Sequence, residues 1–361
     1  MRLPEADLIR PGLASALPSL QTLPALAREA RSPSTPAAPP DGAGLAAATR
    51  EGPPDGARAG LSGATREGPP ALAPDELHAR LGAFNRRRLE PSLGVDADAW
   101  EGALRDEVAL RRLEAAFVEG ERRAVAALAQ GAPREPDAFV AWFEGLAAWG
   151  PGQGDPLFDW LATEATAEQM RWFLRQEVAG EAGFDELVAL TQVRFPARAK
   201  LEMARNYWDE MGQGHPGAMH GPMLDALARE VGVEADPSPI VWEARALANL
   251  LVALASNRHY AYQSVGALGA VELTAPGRAA RVNEGLKRLG VAPAARRYFA
   301  LHATLDVKHS AAWNREVIGP LVAADPRAAA PLAEGALLRL AAGARCFERY
   351  RRELGLTPRQ S

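Results

Sequence analysis

His302, Asp306 and His309 lie in the run Tyr298-Phe-Ala-Leu-His302-Ala-Thr-Leu-Asp306-Val-Lys-His309, whose residue types predict a helix. At 100° per residue, offsets of four and seven leave the three side chains within roughly 60° of one another. Two imidazoles and a carboxylate aimed at one point make half of a non-haem iron or manganese site. The chain has only six histidines, and five of them fall between His215 and His309. The remaining ligands must come from other elements.

Those elements are helices. Ala, Leu, Arg and Glu dominate, isoleucine is nearly absent, and no stretch alternates apolar and polar residues over a strand's length. The ordered part is therefore expected to be all-α. Helical bundles build two-metal carboxylate sites from side chains on facing helices. Ferritin-like versions use paired Glu-x-x-His motifs, and no Glu-x-x-His occurs in this chain, which argues against that class.

Residues 1–73 are rich in Pro, Gly, Ala and Ser and poor in aromatics. Within them Gly44-Leu-Ala-Ala-Ala-Thr-Arg-Glu-Gly-Pro-Pro54 recurs sixteen residues later as Gly60-Leu-Ser-Gly-Ala-Thr-Arg-Glu-Gly-Pro-Pro70. Two copies broken by Gly-Pro-Pro make no solenoid, so this part reads as a disordered N-terminal extension with a duplicated 16-residue unit. Residues 74–165 read as a helical add-on layer or the first part of the domain, and 166–361 as its core. Helix starts are expected at Pro74 and, with a capping box, at Thr166. A long amphipathic helix is expected over 100–130 and a shorter one over 136–149. Further helices are expected near 183–192, 196–211, 218–232, 239–257, 258–273, 276–290, 293–317 and 326–354. His78 is expected on a surface helix. Trp142, Trp149, Trp160, Trp172 and Trp208 are expected in the core.

The segment Asn206-Tyr-Trp-Asp-Glu210-Met-Gly-Gln-Gly-His-Pro-Gly-Ala-Met-His220, followed by Glu272 and then His302, Asp306 and His309, resembles the haem-oxygenase-like diiron oxidases, or iron-containing redox enzymes. Members place a histidine ten residues after the Glu of an Asp-Glu-x-Gly-x-Gly segment, then a single helical Glu, then His-x-x-x-Asp-x-x-His. The resemblance covers roughly residues 165–355. It implies a haem-oxygenase-like helical bundle with iron ligands Glu210, His220, Glu272, His302, Asp306 and His309. One further carboxylate on an earlier helix is implied, with Glu177 and Glu181 as the candidates. Such a ligand set suits two Fe(II) ions, with manganese as the other metal to consider, and no haem. The implied partners are O₂, a small-molecule substrate (an amine, amino acid or fatty-acid-like metabolite) and an electron donor, with a homodimer left open.

Each residue also has a plainer reading. His220 could belong to a polar turn after Gly212, Gly214 and Pro216, and His215 competes for its role. Glu272 lies in an otherwise small and apolar stretch, where a buried carboxylate needs a partner or a metal. Tyr207, Tyr260, Tyr262 and Tyr298 are candidates to hydrogen-bond metal ligands. Arg345, Arg349, Arg351 and Arg352 are expected on a solvated helix face near its C-terminal end. A net charge of −4 with interleaved signs argues against nucleic acid as a partner. Apolar stretches are too short for a membrane span, and the lone Cys346 fits a reducing cytoplasm. The competing functional class is a helical binding or scaffold protein without redox activity.

Overall fold

Ala/Leu/Arg/Glu-rich segments punctuated by Pro and Gly fold into thirteen α-helices among the described residues, with no strand between them. The computed structural model describes residues 72–356 except 92, 95, 96 and 236–238. The disordered reading of residues 1–73 and the duplicated unit fall almost wholly outside the described residues.

The first helices are α1 (Pro74–Leu89), α2 (Ala97–Gln130), α3 (Pro136–Trp149) and α4 (Pro156–Thr163). Then come α5 (Ala167–Gly180), α6 (Phe184–Thr191), α7 (Ala197–Glu210), α8 (His220–Glu230) and α9 (Trp242–Ser256). The chain closes with α10 (Ala261–Arg288), α11 (Arg297–Trp313), α12 (Gly319–Ala324) and α13 (Ala329–Glu353). The expected capping box is present: Gln169 N–H donates to Thr166 Oγ1, while Thr166 N–H donates to Gln169 Oε1.

Helix α10 is the organising element, packed against α11, α13 and α4. It meets α13 at two glycines. A methyl group on Gly266 would collide with the Leu332 carbonyl, and one on Gly335 with the Gln263 carbonyl. The backbones therefore approach more closely than side chains would allow. Helices α1 and α2 pack on α9 and α13, and α3 on α12.

Several expectations need correction. The break expected between 273 and 276 does not occur, because Pro276 lies inside continuous α10. It leaves the Glu272 carbonyl without its usual intrahelical donor. The expected 293–317 helix instead ends at Trp313, followed by a π-turn over Asn314–Ile318. His78 is buried, stacked on Trp242 at 5.7 Å and edge-on to Phe117 at 4.8 Å. Trp149 and Trp208 are 50% and 53% exposed, so neither is core. Trp149 ends its helix against the edge of Trp142, and Trp208 covers Gly214 in the turn after α7. The fully buried tryptophan is Trp313, whose indole donates to the Val265 carbonyl. The arginines of α13 are not simply solvated: Arg345 pairs with Glu121 at 2.7 Å, and Arg351 pairs with Asp155.

Candidate metal centre

Four helices converge on one buried cluster of acids and imidazoles. The end of α7 supplies Asn206, Asp209 and Glu210, and the first residue of α8 is His220. The middle of α10 supplies Glu272, and one face of α11 supplies His302, Asp306 and His309. The turn joining α7 to α8 is tight enough to bring its two ends together. Gly212 adopts φ +62°, and a Cβ there would sit 2.5 Å from the Ala218 carbonyl carbon. Only glycine fits that position without strain.

Six of the predicted ligands lie together, all buried. Glu210, His220 and His302 form one group able to hold a metal, and Glu210, Glu272 and His309 form a second. Glu210 belongs to both. Its Oε2 is 2.8 Å from His220 Nδ1 and 3.7 Å from His302 Nε2, while its Oε1 is 3.6 Å from His309 Nδ1. His309 Nδ1 also lies 3.5 Å from Glu272 Oε2 and 3.9 Å from Asp306 Oδ1.

The surroundings fix how the imidazoles point. His302 Nδ1 lies 2.6 Å from the Tyr298 carbonyl oxygen, which can only accept, so Nδ1 carries the proton and Nε2 faces the cluster. His309 Nε2 is 3.3 Å from Asp209 Oδ2, which leaves Nδ1 turned toward the acids. Asn206 Nδ2 donates to Glu272 Oε1 at 2.6 Å and holds that carboxylate in place.

Glu181, just after α5, lies 2.8 Å from His220 Nε2 and accepts from the Gly183 and Phe184 amides. Glu177, one turn earlier, contacts none of the histidines; it lines the same cavity further along. Of the two candidate carboxylates, Glu181 is the one beside the histidines. Of the four tyrosines considered, Tyr298 reaches the cluster, its hydroxyl 3.1 Å from His220 Nε2. Tyr260 instead donates to Glu119, and Tyr262 packs on Phe195. His215 is exposed, and so is His259. Asp209 was not anticipated as a partner of His309. The signal was its place one residue before Glu210, in the same Asp-Glu pair.

The electrostatics describe a cluster that needs a cation. Asp306 is pushed up to about 9, first by burial and then by the Glu272 and Glu210 charges. Burial would lower His309, but Glu272 and Glu210 outweigh it and raise the imidazole to about 9. His220 is raised well above the usual imidazole range because Glu181 and Glu210 flank it and overcome burial. Those contacts hold Glu181 down to about 2 despite its burial. Asp306 Oδ1 and His309 Nδ1 are buried with no hydrogen-bond partner. Unpartnered ligand atoms inside an acidic cluster are the chemistry a divalent cation satisfies.

A cavity of about 140 Å³ opens onto Glu210, Glu272, His220, His302 and Asp306. Phe184 stacks on His220 at 6.0 Å, and Leu224, Val271 and Phe299 add apolar walls. Among the described residues no helix is long and apolar enough to cross a membrane.

The chain matches no curated protein. Similar solved structures include a CADD-like protein of unknown function from Nostoc punctiforme, 18% identical with a TM-score of 0.48, covering 61% of this chain and 98% of that one. Another is a domain of unknown function with a haem-oxygenase-like fold from Shewanella denitrificans, 14% identical with a TM-score of 0.44, covering 61% and 92%. Residues 171–344, which carry every acid and imidazole of the cluster, match the model of the iron-containing redox enzymes, and over that stretch the chain resembles that family.

Proposed function

We propose that this protein is an O₂-activating, non-haem diiron oxidase or oxygenase acting on a small organic metabolite. The observation that carries the reading is Glu210, one carboxylate shared by two groups of candidate ligands. Shared carboxylates are how a helical bundle holds two metals side by side.

Glu210, His220 and His302 would hold one ion, and Glu210, Glu272 and His309 the other, with Asp306 beside His309 as a further ligand. A bound ferrous pair would supply the electrons and binding positions that O₂ chemistry requires. The protein contributes orientation and enclosure. Tyr298 and Asp209 fix the imidazoles of His302 and His309 through their second nitrogens. Asn206 fixes Glu272. Glu181 accepts a hydrogen bond from His220 Nε2, which leaves Nδ1 facing Glu210 as the ligand atom once that nitrogen gives up its proton. The apolar walls limit water at the reacting end of the cavity.

The test is metal analysis combined with rapid mixing. Protein loaded anaerobically is expected to hold two irons per chain, show no haem absorbance, and give an optical transient on exposure to O₂. Protein that takes up no iron under those conditions would point instead to a helical binding protein without redox activity.

A further inference from the structure

The cavity does not end at the acids and imidazoles. Arg278 lies six residues beyond Glu272 on α10, about 9 Å along the axis, and Glu177 lies one turn before Glu181 on α5. Arg339 of α13 lines the same end. Two guanidinium groups and one carboxylate therefore face an enclosed space, leaving one net positive charge.

These charges are satisfied by the fold only in part: Glu177 attracts both guanidinium groups, and Arg278 Nη2 donates to Thr274 Oγ1, but Arg339 has no direct partner. Arg339 forms no hydrogen bond or ion pair among the described residues, and its Nε and Nη1 are buried without partners. Arg88, Arg296 and Arg349 also leave Nε unpaired, but each anchors another nitrogen on a carboxylate or amide. Arg278 is held in place, its Nε donating to the Thr274 carbonyl at 3.0 Å while its guanidinium lies 5.3 Å from the Phe347 ring centre. Burial, together with repulsion from Arg339, pulls it down to about 9. A buried cation without a partner is costly, and a fold that retains one is explained when a ligand brings the counter-charge. Apolar residues, including Leu247, Leu251, Val271 and Ala275, line the same cavity.

We propose that Arg339 and Arg278 form the subsite for the carboxylate of a small, otherwise apolar organic acid, whose far end is held against Glu272, Asp306 and His302. Arginine suits this role because its planar fork takes a carboxylate in two parallel hydrogen bonds. Glu177 limits the ligand to one negative charge at this end, which disfavours phosphate esters. As a statement about substrate, the assignment rests on the oxidase reading. It places the reacting atom at the end of the molecule away from the carboxylate, with the acid group anchored on protein rather than on metal.

The experiment is calorimetric titration of the metal-free full chain with hexanoate, hexanamide and hexylamine. Hexanoate is expected to bind roughly tenfold or more tightly than either other probe, the scale of a lost charge-assisted hydrogen bond. Arg339→Met is expected to weaken hexanoate binding by a similar factor while raising the melting temperature, because an unpaired buried charge has been removed. Equal affinity for hexanoate and hexanamide in the wild-type protein overturns the proposal, whatever the variant does. Unchanged hexanoate binding in Arg339→Met also overturns it, as does a variant too unstable to fold, which would make the arginine structural. Absent hexanoate binding with normal iron uptake removes the carboxylate subsite alone. Normal hexanoate binding without iron uptake removes the diiron reading alone.

Discussion

Glu210 Oε2 and His220 Nδ1 stand 2.8 Å apart across a turn of nine residues that begins at Met211 and includes the left-handed Gly212 and Gly214. The turn thus delivers a carboxylate from the end of one helix and an imidazole from the start of the next to a single point. Because Glu210 also faces His309, removing its charge disturbs both candidate metal positions. Glu210→Gln is expected to reduce iron from two per chain to less than one, while Glu272→Gln loses only one of the two. Iron analysis and circular dichroism check this. Equal losses in the two variants would reject the shared role of Glu210.

Substituting the turn itself tests how it positions those groups. Gly212→Ala places a side chain at φ +62° against the Ala218 backbone. A stability loss of about 1–3 kcal/mol is expected, together with reduced iron loading. Gly217→Ala is the control, since nothing lies within 4 Å of a Cβ there. Matched behaviour of the two variants in denaturant melts would show that the turn does not position the site.

Metal uptake should depend steeply on pH. In the metal-free protein Asp306 and His309 titrate near 9 and His220 well above the usual imidazole range, so all three hold protons at pH 7. Ligation needs the carboxylate ionised and the rings neutral, so binding expels those protons and affinity rises with pH from 7 toward 9. Titrating Fe(II) into weakly buffered anaerobic protein, with a pH indicator, should release close to three protons per chain. Asp306→Asn should release one fewer. Proton-neutral binding would contradict this account of the cluster.

A separate pH effect belongs to the scaffold. Burial first, then the charge of Arg345, lowers His78 from 6.5 to about 4. A histidine depressed in the folded state binds its proton more readily when unfolded, so stability falls as pH drops from about 6.5 toward 4. The loss should reach about 3 kcal/mol. His78→Phe keeps the stacking on Trp242 but removes the titration, so its stability should be flatter over that window. Parallel curves for the two proteins in urea melts at stepped pH would dismiss the effect.

What the sequence revealed follows from range. Helix identity and the shared face of His302, Asp306 and His309 depend on local periodicity, and the structure has both. Bringing Glu210, His220 and Glu272 to that face needs tertiary packing, which local spacing does not encode; ordered resemblance to a family supplied it. Choosing between Glu177 and Glu181 required knowing which turn of α5 faces His220. Both lie on one face of that helix, so periodicity could not separate them. Pro276 marked a break because proline disfavours helix interiors, yet packing on α11 and α13 carries α10 through it. Arg339 went unnoticed because an arginine in a helix of arginines gives no sign that it points inward.

The glycine contacts between α10 and α13 have a consequence for how this pocket could change its preference. Arg339 follows Gly335 by one helical turn, and Arg278 stands on the helix that Gly335 touches. With backbone pressed on backbone, neither helix can shift to admit a bulkier ligand head. For the proposed acid, divergence in chain length would therefore be written on α9, at Leu247 and Leu251, which line the same cavity.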